Sequence, residues 1–458
     1  MKHAQRTAVV LALSLAVVVS LAGTAYAEGE VRVAPGAAPA SAFPPPTTCQ
    51  CHGERLKEWG GSMHSNAITD PLFRAKVAEG DAATGGKMSP FCLTCHAPVA
   101  TMAGEIGGTM SPAGGQAVGC MFCHQIVGTA EPLGNVSQLL VPDGTRRAQL
   151  EQPQAPHPAL YSEFSTKSEL CGGCHNVMHP GNGMHLESSY KEWAESPQAK
   201  AGVQCQDCHM SKEPGAVGPF EGTAAAGGPV RPNIYRMSFV GAQVGQASDP
   251  ALPTALLKSA AKVKIEAPEV AEPGKETSVS VTITNVGAGH YLPTGLTEVR
   301  EMWLEVSLVA ADGTVTKLGE HKFGTVLQDD KGNHPVELWD ATGVFSDDRI
   351  PPQGSVTDGY SFKLPTAEST GKLKAELKYR SAPEELATKA GVDNPTTIMA
   401  SAVAPVFGST EAQTKAQAAE ESSSGGAVNP AILLGVAAAA ALVAIVAVFV
   451  VRSRAKKA

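Results

Sequence analysis

Hydrophobic and polar residues alternate regularly in only one stretch of this chain, between residues 262 and 408. Val279, Val281 and Ile283 alternate with Ser278, Ser280, Thr282 and Thr284, the period of a strand buried on one face. Met302, Leu304, Val306 and Leu308 repeat the pattern, and Asp312-Gly313 offers a hairpin turn after them. Tyr360, Phe362 and Leu364 alternate beyond the turn signal Pro351-Pro352-Gln353-Gly354, and Leu373, Ala375, Leu377 and Tyr379 make a last run. Short strands punctuated by turns predict an all-β, immunoglobulin-like sandwich over 262–408, with a short helix over 251–260 before it.

Elsewhere the pattern carries other information. Lys2 and Arg6 precede an apolar run over 8–22 and a small-x-small site, Ala25-Tyr26-Ala27, which predicts a signal peptide over 1–27. Residues 28–48 are Ala/Pro-rich, end in Pro44-Pro45-Pro46 and read as a spacer. Residues 409–429 are polar and Ser/Gly-rich, which predicts a flexible stalk. An uncharged run follows; at about 1.5 Å per residue it reaches roughly 30 Å, so 430–451 is expected to be a transmembrane helix. Arg452, Arg454, Lys456 and Lys457 then predict a cytoplasmic tail over 452–458. These ends place the chain on the cytoplasmic membrane as a single-pass protein, its bulk periplasmic or at the cell surface.

Residues 49–240 have no such periodicity but hold every cysteine. Cys92-Leu93-Thr94-Cys95-His96, Cys120-Met121-Phe122-Cys123-His124, Cys171-Gly172-Gly173-Cys174-His175 and Cys205-Gln206-Asp207-Cys208-His209 all read C-x-x-C-H. That spacing lets two thiols add to one porphyrin while the adjacent histidine faces its iron. The remaining cysteines, Cys49 and Cys51, stand directly before His52, with one residue between them instead of two. Cys51-His52 keeps the normal relation of thiol to ligand; Cys49 either reaches the second vinyl group under strain or stays unattached. At least four, and with this site five, haem c groups are expected, with His52, His96, His124, His175 and His209 as proximal ligands. So many groups in so short a segment leave room only for helices and loops around porphyrins, a mainly α and irregular domain.

A low-spin carrier needs a second axial ligand on each iron. His64, His157 and His179 are the first candidates, with His185 and His290 behind them; His321 and His334 sit in ordinary polar surroundings. His290 lies in Gly287-Ala288-Gly289-His290-Tyr291-Leu292-Pro293-Thr294-Gly295, within the predicted sandwich. It is either a turn histidine without a role or a distal ligand supplied by the second domain.

Cys-x-Cys-His followed by Trp59 and Ser62-Met63-His64, with the segments 92–98, 169–176, 190–196 and 205–210, resembles the multihaem cytochromes related to cytochrome c-554. Ala288-Gly289-His290 with Pro293-Thr294-Gly295 resembles the β-domain appended to many of them. The resemblance spans roughly 47–380 and implies closely stacked haems, mostly bis-histidine irons, and electron transfer. The leading expectation is therefore a multihaem electron carrier on the outer face of the membrane. The alternatives are a reductase of a small nitrogen or sulfur species at a five-coordinate haem, and a subunit of an extracellular cytochrome filament. A formal net charge of −8 argues against nucleic acid. The expected partners are redox proteins and the membrane, with a homo-oligomer left open.

Overall fold

The structure is a computed structural model that describes residues 29–424. Residues 261–407 include seven antiparallel strands in two sheets, four of them formed by the alternating runs. We number them β1 (Ala261–Glu266), β2 (Thr277–Asn285), β3 (Glu301–Ala310), β4 (Val315–Phe323), β5 (Ser355–Phe362), β6 (Thr370–Arg380) and β7 (Thr397–Phe407). One sheet runs β1-β2-β5 and the other β4-β3-β6-β7. Two alternating runs read from the sequence are cross-strand partners: Met302 faces Tyr379, Leu304 faces Leu377, Val306 faces Ala375 and Leu308 faces Leu373. Their inward side chains meet Val279, Val281 and Ile283 of the other sheet in one core. Replacing Leu304, 0% exposed, with Ala should therefore cost about 2–5 kcal/mol, read as a lower denaturation midpoint of the β-domain. β4 and β7 escape the sequence pattern because their burial does not alternate cleanly between apolar and polar residues.

The cysteine-bearing domain is built from short helices and turns with small two- and three-stranded ladders. Its polypeptide core is thin, centred on Phe43, Val99, Met102, Met121, Phe122, Ile126 and Leu140. The segment expected to be a loose spacer, 28–48, contributes to it. Phe43 is fully buried, and Val31 and Arg32 pair with Leu140 and Leu139. A Pro-rich composition hid one large apolar anchor.

The two domains share a broad interface. The Thr325–Gln328 and Gly343–Asp347 hairpin and the loop inside it bring Leu327, Leu338 and Ala341 against Met88 and Leu186. Ion pairs Lys76–Glu337 and Lys389–Glu79, both 2.6 Å, flank the contact.

The ends require a correction. Thr410–Ser424 is a helix where a flexible stalk was expected. The leader over 1–27, the transmembrane helix over 430–451 and the tail over 452–458 lie outside the described residues. No described helix is long and apolar enough to cross a membrane. The last of them, Thr410–Ser424, has 15 polar-rich residues against the roughly 20 apolar ones that a span needs. Among the described residues the fold class is corrected to a cytochrome domain followed by a β-rich domain, and no helix there supports the single-pass placement.

Candidate haem centres

Each C-x-x-C-H motif overlaps a short helix: Met88–His96, Cys120–Cys123, Glu169–Gly172, which ends inside its motif, and Cys205–His209. A helical turn sets residues three and four apart on one face, so both thiols and the imidazole converge. The irregular motif forms a 3-10 turn, Gln50–His52, with fewer residues per turn. In the fourth motif the two glycines are sites of close approach. A Cβ on Gly173 would stand 2.3 Å from the Gln138 side chain, and one on Gly172 2.5 Å from the Tyr190 ring.

All five motif histidines have Nδ1 held by an oxygen acceptor. His52 donates to Ala224 O, His96 to Ala67 O and His124 to Arg147 O, each at 2.9 Å. His209 donates to Val240 O at 2.6 Å, and His175 to the Glu187 carboxylate at 3.1 Å. Such a bond fixes the tautomer and turns Nε2 free for a metal. Burial lowers the pKa of His96 and His124, and brings His209 down to about 4, favouring the neutral, ligating form. At His175 burial pulls the same way, but the bond and charge of Glu187 outweigh it and carry the imidazole up to about 9.

Three motif rings face a second imidazole far away in sequence. The centroids of His52 and His157 are 6.3 Å apart, those of His175 and His64 6.3 Å, and those of His209 and His290 6.2 Å. A metal–nitrogen bond is about 2 Å and an imidazole nitrogen lies about 1.1 Å from its centroid, so two rings clamping one metal stand about 6.3 Å apart. All three histidine pairs stand at about that spacing. Nδ1 of His290 donates to Tyr291 O at 2.9 Å and that of His157 to Pro158 O at 3.2 Å. His64 is so enclosed that burial pushes it down to about 3. The residues present therefore fit haem c, whose iron supplies reversible one-electron chemistry when bound.

The other candidates fall differently. His179 spends both nitrogens within the protein: Nε2 donates to Trp339 O at 3.2 Å and Nδ1 accepts from Gly181 N at 3.1 Å. Among the described residues it faces no motif histidine at the 6.3 Å spacing, although it stands four residues beyond His175. His185 sits in the strand His185–Glu187 with Nδ1 buried and unbonded, and it faces no motif histidine at the axial spacing. His321 bonds Asp358 at 2.8 Å, and His334 is exposed and stacks on Phe345. Glu187 was not legible as a site residue, since a lone glutamate has no spacing signal.

The cysteines define which sites are neighbours. Thiols of Cys49 and Cys120, of Cys95 and Cys174, and of Cys171 and Cys205 are near neighbours across motifs. Cys123 lies within electrostatic reach of Cys174. The first site thus adjoins the third, and the fourth adjoins the second, third and fifth.

Residues 48–125 match the family described as cytochrome c554 and c-prime. Among solved structures, the chain is similar to a penta-heme cytochrome c552 from Thermochromatium tepidum. The identity is 20%, covering 82% of this chain and all of that one, with a TM-score of 0.59. The CARDB domain of the PF1109 protein from Pyrococcus furiosus is matched at 13% identity, over 32% of this chain and 85% of that one, with a TM-score of 0.18. No curated protein sequence matches the chain. Four C-x-x-C-H motifs, five oriented histidines and the family match over residues 48–125 together make the cysteine-bearing domain similar to the multihaem c-type cytochromes of the cytochrome c554 family.

Proposed function

We propose that the chain is a five-haem electron carrier in which His52 with His157, His175 with His64, and His209 with His290 are axial pairs. His96 and His124 are the proximal ligands of the second and third haems. The observation that carries this reading is the axial spacing of three histidine pairs whose members are far apart in sequence. The similarity to a penta-heme cytochrome over that protein's whole length supports the count of five. The thiol contacts support a branched row centred on the fourth haem. Cys51 is exposed at the first site; the exposed Val230 follows Ala226, whose N–H bonds the Cys51 carbonyl, and the exposed Leu160 and Tyr161 follow His157, whose ring faces His52. This end of the row is where a redox partner protein docks.

Intact mass of the haem-loaded protein tests the count: five covalent adducts are expected, and four would remove the first site. Alkylation after denaturation then reads Cys49, which is protected if it carries a thioether and labelled if Cys51 alone holds the haem.

A second reading has its own support. Neither His96 nor His124 faces another imidazole at the axial spacing among the described residues, and the face of His96 stacks on Phe73 at 3.8 Å. An iron with an open position is what a reductase of small nitrogen or sulfur species needs. Binding of nitric oxide or cyanide to a high-spin ferric haem favours that reading, and a wholly low-spin protein excludes it.

A further inference from the structure

A ligand delivered across a domain interface must be held there, because each free rotation of the delivering loop takes the imidazole away from its iron. The loop that bears His290 is held by one buried carboxylate of the other domain. Glu192, 6% exposed, lies in the helix Ser189–Ala194 between the fourth and fifth motifs. Its Oε2 accepts from the Tyr291 backbone N at 3.1 Å and from Thr294 Oγ1 at 2.7 Å. Its Oε1 accepts from Arg349 Nη1 at 2.5 Å. Arg349 is itself oriented by two bonds of 2.8 Å to Asp347, and it lies over the Tyr291 ring, 5.0 Å from its centroid.

Tyr291 is the link between this cluster and the ligand. Its N–H is bound by Glu192, while its carbonyl accepts from Nδ1 of His290, so the residue is gripped on both sides. The carbonyl of His290 accepts from Asn285 Nδ2 at 2.9 Å. Ser189 Oγ adds a bond of 2.9 Å to Thr294 Oγ1 from the same helix as Glu192. The loop also runs close to the chain: a Cβ on Gly287 would stand 2.3 Å from Ser259 O. A buried ion pair is weak evidence for stability but a strong device for fixing geometry, since a half-made buried pair is costly.

We propose that Glu192 is the positioning residue for His290: its carboxylate, aligned by Arg349, latches the β-domain loop so that the imidazole stays opposite His209. The proposal rests on the reading of His290 as the distal ligand of the fifth haem. Without the latch the loop retains its strands and loses its register on the haem domain, so the sixth ligand becomes labile while the covalent haem stays.

The test compares full-length, haem-loaded wild type, Glu192→Ala, Glu192→Gln and His290→Ala by ferric electron paramagnetic resonance and optical spectra, with added imidazole as probe. E192A should turn up to one haem equivalent from low to high spin and recover low spin with imidazole. E192Q, which keeps an acceptor but loses the charge, should show a smaller fraction. The covalent haem count should not change. If H290A converts one haem and E192A leaves the spectrum unaltered, the latch is disproved and the ligand assignment stands. If H290A itself changes nothing, the assignment fails and the latch with it. Should E192A prove too unstable to isolate, E192Q and Arg349→Met carry the test, and unaltered low-spin spectra in both overturn the proposal.

Discussion

Replacement of His290 by alanine is expected to leave every covalent haem in place and to convert one ferric haem equivalent from low to high spin. This expectation follows from the proposed pairing of His209 with His290. His209 is held by a 2.6 Å bond to Val240 O, and the ring of His290 stands 6.2 Å from it at an interplanar angle of 19°. An alanine at 290 withdraws the imidazole without touching either thioether. The loss should also loosen the link between the domains, because an iron–nitrogen bond then no longer bridges them. Limited proteolysis of the segment between the domains measures this second effect. Unchanged electron paramagnetic resonance would make the β-domain a spacer and remove His290 from the ligand set.

The second large effect is expected at the branch point of the row. Glu187→Gln should raise the midpoint potential of the haem held by His175 and His64. Four of the motif histidines donate to neutral carbonyl oxygens, and His175 donates to a carboxylate. A charged acceptor draws the Nδ1 proton, makes the imidazole a stronger donor to iron and so favours the ferric state. Hydrogen bonds to charged groups exceed neutral ones by about 1 kcal/mol, which for one electron is on the order of 50 mV. Spectropotentiometric titration of wild type and variant resolves such a shift. A lower or unaltered potential would show that solvent or burial, and not Glu187, sets this haem apart. Because the fourth site adjoins three others, the same variant should also change how electrons distribute among the remaining haems.

Several expectations met their answer in particular residues. The alternation at 302–308 and 373–379 was enough to identify two strands, and these proved to be partners residue for residue. The Pro-rich segment 28–48 read as a spacer because composition averages over its length, whereas a single fully buried Phe43 decides its packing. His179 was favoured for standing four residues beyond His175; it bonds Trp339 and Gly181 and, among the described residues, faces no motif histidine at the 6.3 Å spacing. The membrane-spanning helix expected at 430–451 has no counterpart among the described helices.

The sequence alone determined what depends on neighbours within about five residues. Covalent attachment belongs here, because two thiols and an imidazole must share one helical face and C-x-x-C-H is the spacing that does so. The faces of β2, β3 and β6 belong here too, since a period of two needs only the local pleat. Tertiary structure decided every choice among distant partners. Which histidine faces which, that Glu187 and not a carbonyl orients His175, and that Glu192 grips Tyr291 all depend on segments brought together by packing. Such pairings are matters of distance and desolvation, which leave no period or spacing in the chain.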